Sequence, residues 1–343
     1  MPRLVVDLAA TSLNWSLPGA GEERLRAAAP EGWDLQFVRT PTVSDGDGNA
    51  APSVEALAAV ADADAYLGFG IARPLLAAAP RLRWVHSAAA GIRGLLYPEM
   101  IERDLVLTNS AGIHAVPIAE HVVGGILYLL RGFDYAITRQ RASTWDKGPW
   151  TRGDVPVREV GECRALVVGA GGLGSAIAER LAALGARCTG VRRRPELGAP
   201  GGFERVVGPA SLDAVLPEAD LLVLTAPFTP ETERLIGADR LDRLPRGAIV
   251  VNVARGALLD ADALVARLRA KRLRGAVLDV FEEEPLGPDS PLWALPQVLL
   301  TPHISAVSPQ RFWDRQLSLF EENWRRWALG EPLLNVVDKR AGY

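Results

Sequence analysis

The sequence predicts an α/β protein built on doubly wound parallel sheets, and three observations carry that expectation. Short apolar runs alternate with Ala-rich helical stretches through the first third of the chain. A second alternating series, with six strand-like runs, follows after Asn109. One strand of that series runs directly into a glycine-rich turn and then a helix.

The 343 residues allow two ordinary domains of about 100–200 residues each. Apolar residues make up 48%, enough for a sizeable core. With 38 basic and 41 acidic side chains the formal charge is −3, which gives no global field for a polyanion, so no nucleic-acid partner is expected. Only Lys147, Lys271 and Lys339 are lysines, and every other basic residue is an arginine, a skew that genomic base composition explains at most positions. Cys163 and Cys188 form neither a disulfide framework nor a metal-type spacing. The N-terminus lacks a charged start followed by a long apolar run. The most apolar helical stretch, 122–130, is far short of the ~20 residues a membrane span needs. The expectation is a soluble, cytoplasmic protein with no membrane segment.

In the first third the strand candidates are 4–6, 35–38, 65–67, 83–86 and 105–108, with helical stretches near 22–29, 54–60 and 74–79. The segment 41–52 is turn-rich. Its Asp45-Gly46-Asp47-Gly48-Asn49 stretch resembles the start of a calcium loop, but Ala50 and Ala56 stand where that loop needs Gly and Glu, so no metal site is expected. The run 118–131 reads as one buried helix, and 145–153 as an irregular, Trp-bearing loop. Strands are then expected at 165–168, 188–191, 221–224, 249–253, 276–280 and 298–300. A final helix, 311–328, carries Phe312, Leu317, Phe320, Trp324 and Trp327 on an apolar face.

The glycine-rich turn is Gly169-Ala170-Gly171-Gly172-Leu173-Gly174, between a strand and a helix that begins by Ser175. Gly169 makes the tight turn, Gly171 lets backbone approach a pyrophosphate, and Gly174 permits close helix–strand packing. The helix N-terminus adds unpaired N–H groups and partial positive charge, so the segment predicts dinucleotide binding. About 20 residues on, an acid normally takes the ribose hydroxyls. Here Arg192-Arg193-Arg194 stand instead. Guanidinium groups bind a 2′-phosphate that a carboxylate would repel, so NADP(H) is favoured, with NAD(H) left open. The plainer reading is a solvated loop in an arginine-rich chain.

Three later strand ends carry reactive side chains: Arg255 after 249–253, an acid among Glu282, Glu283 and Glu284 after 276–280, and His303 after 298–300. Ligands of open α/β sheets bind outside the carboxyl ends of strands, so these are candidates for one site. The set suits hydride transfer to a 2-oxo acid. Histidine can give a proton to the developing alkoxide, a carboxylate can orient the ring, and arginine can hold the substrate carboxylate and polarise the carbonyl. Taken alone, charged strand ends are also common on surfaces.

Several motifs in order resemble those of the D-isomer-specific 2-hydroxyacid dehydrogenases, with glyoxylate/hydroxypyruvate reductases the most similar branch. They are Thr108-Asn109-Ser110-Ala111-Gly112 with Ile118-Ala119-Glu120-His121, the Gly169–Gly174 turn, the segment Leu224 to Thr232, Asn252-Val253-Ala254-Arg255-Gly256, Leu278-Asp279 through Glu284-Pro285, and Thr301-Pro302-His303. The resemblance implies that Arg255, Glu284 and His303 are catalytic, and it selects Glu284 over its neighbours. It implies that Ala89, Ala90 and Gly91, in the Ala88-to-Gly91 loop, offer N–H groups to the substrate carboxylate beside Arg255 and His303. It further implies that Thr225, Ala226 and Pro227, and Asn252, Val253 and Ala254, pass along the cofactor and that Asp279 approaches the nicotinamide carboxamide. The implied architecture is a Rossmann dinucleotide-binding domain, 113–304, inserted into a flavodoxin-like substrate-binding domain, 1–112 with 305–343. The implied cleft lies between the domains, and the implied assembly is a homodimer. Phe228 stands where leucine is commoner in the family.

Of the other histidines, His86 reads as packed or loop-capping, and His121 as a structural partner of Glu120. Trp15, Trp145 and Trp150 fall in loops that could shape a substrate mouth, whereas Trp293, Trp313, Trp324 and Trp327 fit core or interface packing. The motifs thus predict an oxidoreductase that passes a hydride from NAD(P)H to a small 2-oxo acid. Two rival readings are a nicotinamide-sensing, corepressor-like scaffold and a phosphite-type dehydrogenase.

Overall fold

The computed structural model describes residues 1–12, 15–42 and 51–342, which divide into two units, Met1–His114 with Ser308–Tyr343, and Ala115–Val307. The Asp45–Asn49 stretch lies outside the described residues.

In the first unit the short apolar runs form β1 (Arg3–Asp7), β2 (Asp34–Phe37), β3 (Ala65–Gly68), β4 (Trp84–Ser87) and β5 (Val106–Asn109). All pair in parallel, in the order β2-β1-β3-β4-β5, the flavodoxin-like order. Alternate side chains along β1 serve opposite faces, as strand geometry requires. Val5 packs with Ala56, Leu75 and Leu76 of the helices Val54–Ala59 and Arg73–Ala78. Leu4 and Val6 pack with Leu25 of Gly19–Ala28 and with Leu317, Phe320 and Trp324 of Pro309–Leu329. Trp84 stacks on Phe320 at 5.4 Å between centroids. The C-terminal helix stops at Gly330, whose φ of 69° supplies the left-handed cap that glycine takes without penalty.

The second unit carries β6 (Arg164–Val168), β7 (Arg187–Val191), β8 (Arg205–Val207), β9 (Leu221–Leu224), β10 (Ile249–Asn252), β11 (Gly275–Leu278) and β12 (Val298–Leu300). They form a parallel seven-stranded sheet in the order β12-β11-β10-β9-β6-β7-β8. The order reverses between β6 and β9, the switch point at which such sheets bind ligands. The sheet has one strand more than the six expected, because β8 is a three-residue edge strand with an arginine in it. Helices Ala115–Leu130 and Gly172–Ala183 pack on one face, around Ala165, Val167 and Val223. Helices Ala238–Arg243 and Ala261–Arg269 pack on the other, around Leu166, Val250 and Leu278.

The 145–153 loop includes a short helix, Gly148–Thr151. Trp293 is not core: it is 56% exposed, with its indole N–H on the Gly287 carbonyl. Among the described residues no single helix is long and apolar enough to cross a membrane.

Candidate active site

Because all seven strands of the second sheet run parallel, their carboxyl ends share one edge. There Val168 pairs with Val191, and the N–H groups of Gly169 and Ala170 both donate to the Val191 carbonyl at 2.9 Å. Arg192 is therefore the next residue beside the glycine turn. Arg192 is half-buried, and Arg193 and Arg194 are exposed. On the other side Thr225 donates its N–H to Val168 O and its hydroxyl to Gly169 O, both at 2.9 Å, which lays the Thr225-Ala226-Pro227 segment against the turn.

The turn fits a dinucleotide. Gly169 has a φ of +116°, and a Cβ there would meet Ala226 N at 2.6 Å. A Cβ on Gly174 would meet Gly169 O at 2.2 Å. A Cβ on Gly171 or Gly172 would meet nothing within 4 Å, so the turn is tight behind and open in front. The helix Gly172–Ala183 has no side-chain cap, which leaves its first N–H groups for an anion.

Further along the edge, Asn252 ends β10 and folds the next turn: its amide donates to Arg255 O at 2.9 Å and accepts from Ala254 N at 3.1 Å. Arg255 is exposed, with one guanidinium N–H on Ala254 O. Gly256 abuts the segment after β11 so closely that a Cβ would lie 1.9 Å from Phe281 C. Two chain turns thus touch backbone to backbone, the one bearing Arg255 and the one bearing Glu284.

Glu284 Oε1 accepts the Phe281 N–H at 2.9 Å, and Oε2 lies 2.8 Å from His303 Nδ1. Against that carboxylate Nδ1 carries a proton and donates it, so Nε2 is the nitrogen presented outward. The pair is only partly covered, with side-chain exposures of 49% for His303 and 35% for Glu284. His303 has a φ of +54°, a left-handed backbone that non-glycine residues rarely adopt. Asp279 holds it there. The Asp279 carbonyl accepts the His303 N–H at 2.9 Å. Its carboxylate accepts Ile304 N and Ser305 N at 2.9 Å each and the Thr301 hydroxyl at 2.6 Å. Asp279 is fully buried, and both its carboxylate oxygens accept hydrogen bonds from the chain.

In the first unit the loop after β4 follows the same edge rule. Ala88 N donates to Gly68 O at 2.8 Å and Ala89 N to Ser87 Oγ at 3.2 Å. Ala90 and Gly91, the next residues of the loop, are half-buried. His86 is not part of any site: it is fully buried, with Nδ1 2.8 Å from Thr108 Oγ1 and Nε2 3.2 Å from Ser110 Oγ, and burial drives its pKa down to about 3. His121 does not pair with Glu120. Neighbouring helical residues point about 100° apart, so Glu120 faces Arg180 at 3.8 Å and His121 Nε2 lies 3.2 Å from Thr301 Oγ1.

A family model described as D-isomer specific 2-hydroxyacid dehydrogenase, NAD binding domain, matches residues 123–305. Glyoxylate/hydroxypyruvate reductase A of Salmonella newport (strain SL254) is 34% identical over 77% of this chain and 82% of its own. The chain belongs to the D-isomer-specific 2-hydroxyacid dehydrogenase family. Its members are NAD(P)-dependent oxidoreductases acting on CH–OH donors, and this dehydrogenase is one of them. Its fold matches the D-isomer specific 2-hydroxyacid dehydrogenase from Xanthobacter autotrophicus Py2, solved with NADPH and MES, with 32% identity and a TM-score of 0.78 over 100% of both chains. The NADPH-dependent glyoxylate/hydroxypyruvate reductase from Sinorhizobium meliloti, solved with NADP and sulfate, aligns over 100% of both chains with 27% identity and a TM-score of 0.75.

In the sequence of the dehydrogenase Gly256 and Thr301 stand in motifs without a role of their own, and Asn252 only as a residue along the cofactor's path. The available signal was their adjacency to Arg255 and His303. What they do depends on backbone contacts across strands that spacing does not show.

Proposed function

We propose that this dehydrogenase reduces glyoxylate- or hydroxypyruvate-type 2-oxo acids to the D-2-hydroxy acid with NADPH, in the cytoplasm and as a homodimer. The observation that carries the reading is the His303–Glu284 pair, 2.8 Å apart, on the same sheet edge as the glycine turn. The named activity of the Salmonella relative and the NADP-bound structural relatives support the substrate and cofactor.

In this reading the Gly169, Gly171, Gly172, Leu173 and Gly174 backbone takes the pyrophosphate, and Arg192, Arg193 and Arg194 take the 2′-phosphate. The Thr225–Pro227 segment, Val253 and Ala254 line the cofactor's path. When bound, NADPH supplies the hydride. His303 gives the Nε2 proton to the oxygen that gains charge, and Glu284 orients the ring and balances the imidazolium. Arg255 holds the substrate carboxylate and polarises its carbonyl. Ala90 and Gly91 add backbone N–H donors to that carboxylate.

The test is a panel of 2-oxo acids with NADPH and with NADH, followed by nicotinamide absorbance, on the wild type and His303→Ala. The wild type oxidises NADPH with glyoxylate or hydroxypyruvate. His303→Ala loses about 10²–10⁴-fold in kcat, the share a general acid supplies, and keeps its affinity for NADPH. No turnover across the panel, or full turnover without His303, overturns the reading.

A further inference from the structure

We propose that Thr301 and His121 are positioning residues for the proton donor, acting through Asp279. The inference rests on the function proposed above. It starts from a chain of hydrogen bonds running inward from the His303 turn. A carboxylate only accepts, so the Thr301 hydroxyl, 2.6 Å from Asp279 Oδ1, donates to it. That hydroxyl is then left to accept, and the group facing it is His121 Nε2 at 3.2 Å. The order is His121 N–H to Thr301 O–H to Asp279 carboxylate, each bond polarising the next.

Asp279 is where this chain meets the site. Its carboxylate takes the N–H groups of Ile304 and Ser305, and its carbonyl takes that of His303, so the turn is bonded on both sides of the imidazole-bearing residue. His303 sits in a left-handed conformation that it would leave if the clamp loosened. Asp279 is fully buried, so the Thr301 hydroxyl is no surplus donor: without it Oδ1 keeps one partner, and no water-exposed surface replaces the other. Tilting the turn swings the imidazole off Glu284, whose own position is set separately by the Phe281 N–H. His121 stands on Ala115–Leu130, a helix packed on the sheet, so the hydrogen bonds tie the His303 turn to that packed helix.

The experiment compares Thr301→Val, which keeps shape and removes the hydroxyl, with Thr301→Ser, which keeps the hydroxyl. It also compares His121→Leu with His121→Gln, whose amide can still donate. Two readouts are taken: steady-state kcat and KM with NADPH and a 2-oxo acid, and the ¹⁵N shifts of the His303 imidazole in protein without substrate. Thr301→Val lowers kcat by about tenfold or more while KM and NADPH affinity hold, as expected for a misplaced catalytic group. Thr301→Ser recovers most of that loss. His121→Leu shows a smaller loss that His121→Gln recovers. In Thr301→Val the His303 shifts move toward those of Glu284→Gln, where the pairing charge is gone. Wild-type kcat and unmoved His303 shifts in Thr301→Val overturn the proposal, as does equal damage in Thr301→Ser. If Thr301→Val does not fold, the His121 pair decides on the same two readouts. A wild type that turns over no 2-oxo acid defeats the proposed function instead, and the shifts still decide the positioning roles.

Discussion

His303 Nδ1 and Glu284 Oε2 lie 2.8 Å apart, although each reaches the contact from a different strand end and is held by a separate backbone bond. The contact ties proton donor and carboxylate into one unit. Glu284→Gln keeps the size and a hydrogen-bonding group but removes the charge. A charge-assisted bond exceeds a neutral one by about 1–2 kcal/mol. The variant should therefore lose about five- to thirtyfold in kcat, with NADPH affinity unchanged because no cofactor contact is touched. Steady-state kinetics and a fluorescence titration with NADPH check this, and an unaltered kcat would show that the pair does not work in turnover.

Gly256 is the steric condition for that geometry. A Cβ would sit 1.9 Å from Phe281 C and 2.2 Å from Glu282 N, all rigid backbone. Gly256→Ala must push the two turns apart, and overpacking of this kind costs about 1–3 kcal/mol. The damage should appear twice, as a lowered midpoint in urea unfolding and as a loss of kcat from the displaced Glu284 turn. Loss of stability with full activity would mean the turns can separate without disturbing the pair.

These two residues also mark how far the sequence could be read. The runs 221–224 and 298–300 appear as strands at those bounds because continuous apolar runs closed by turn residues leave little choice. Glu284 and His303 were legible as candidates because the strand-end rule marks their positions. β8 was not, since three residues at a sheet edge carry too little pattern. The partner of His121 was not either. Thr301 is 180 residues away, and only the packing of Ala115–Leu130 on the sheet brings them together. Gly256 looked like part of a motif, and its reason lies in a backbone approach between separate turns.

Cofactor choice should follow the arginines at the end of β7. Arg192 follows directly on the β7 residue that pairs with the glycine turn, and Arg194 opens the next short turn. An arginine–phosphate bond contributes about 1.5–3 kcal/mol. Arg192→Ser with Arg194→Ser should therefore raise KM for NADPH by tenfold or more, on the order of 1.4 kcal/mol per factor of ten. KM for NADH, which lacks the 2′-phosphate, should stay nearly constant. The ratio of kcat/KM for the two cofactors is the measurement. A parallel loss with both would assign the arginines to fold stability instead.

His86 makes the fold sensitive to acid independently of the site. Its ring is fully buried between Thr108 and Ser110, and burial lowers its pKa from 6.5 to about 3. Below pH 6.5 the unfolded chain takes up a proton here that the folded chain refuses, so acid favours unfolding. The stability that His86 protects is complete above pH 6.5 and is lost by roughly 1.4 kcal/mol per pH unit down to about pH 3, where the folded form protonates too. Asp7 acts in the opposite sense. Burial raises its pKa, so the folded chain holds a proton over a window above pH 3.8 that the unfolded chain has lost, and acidification across that window stabilises. The two are separated by His86→Gln, which retains a donor and an acceptor for Thr108 and Ser110 but cannot titrate. Urea unfolding of both proteins between about pH 7 and pH 4 should give diverging free energies. By about pH 4.5 the wild type should have lost ~2–3 kcal/mol more than the variant, a large part of a typical folding margin of about 5–15 kcal/mol. Parallel curves would mean that the native protein accommodates a charged imidazole at this position.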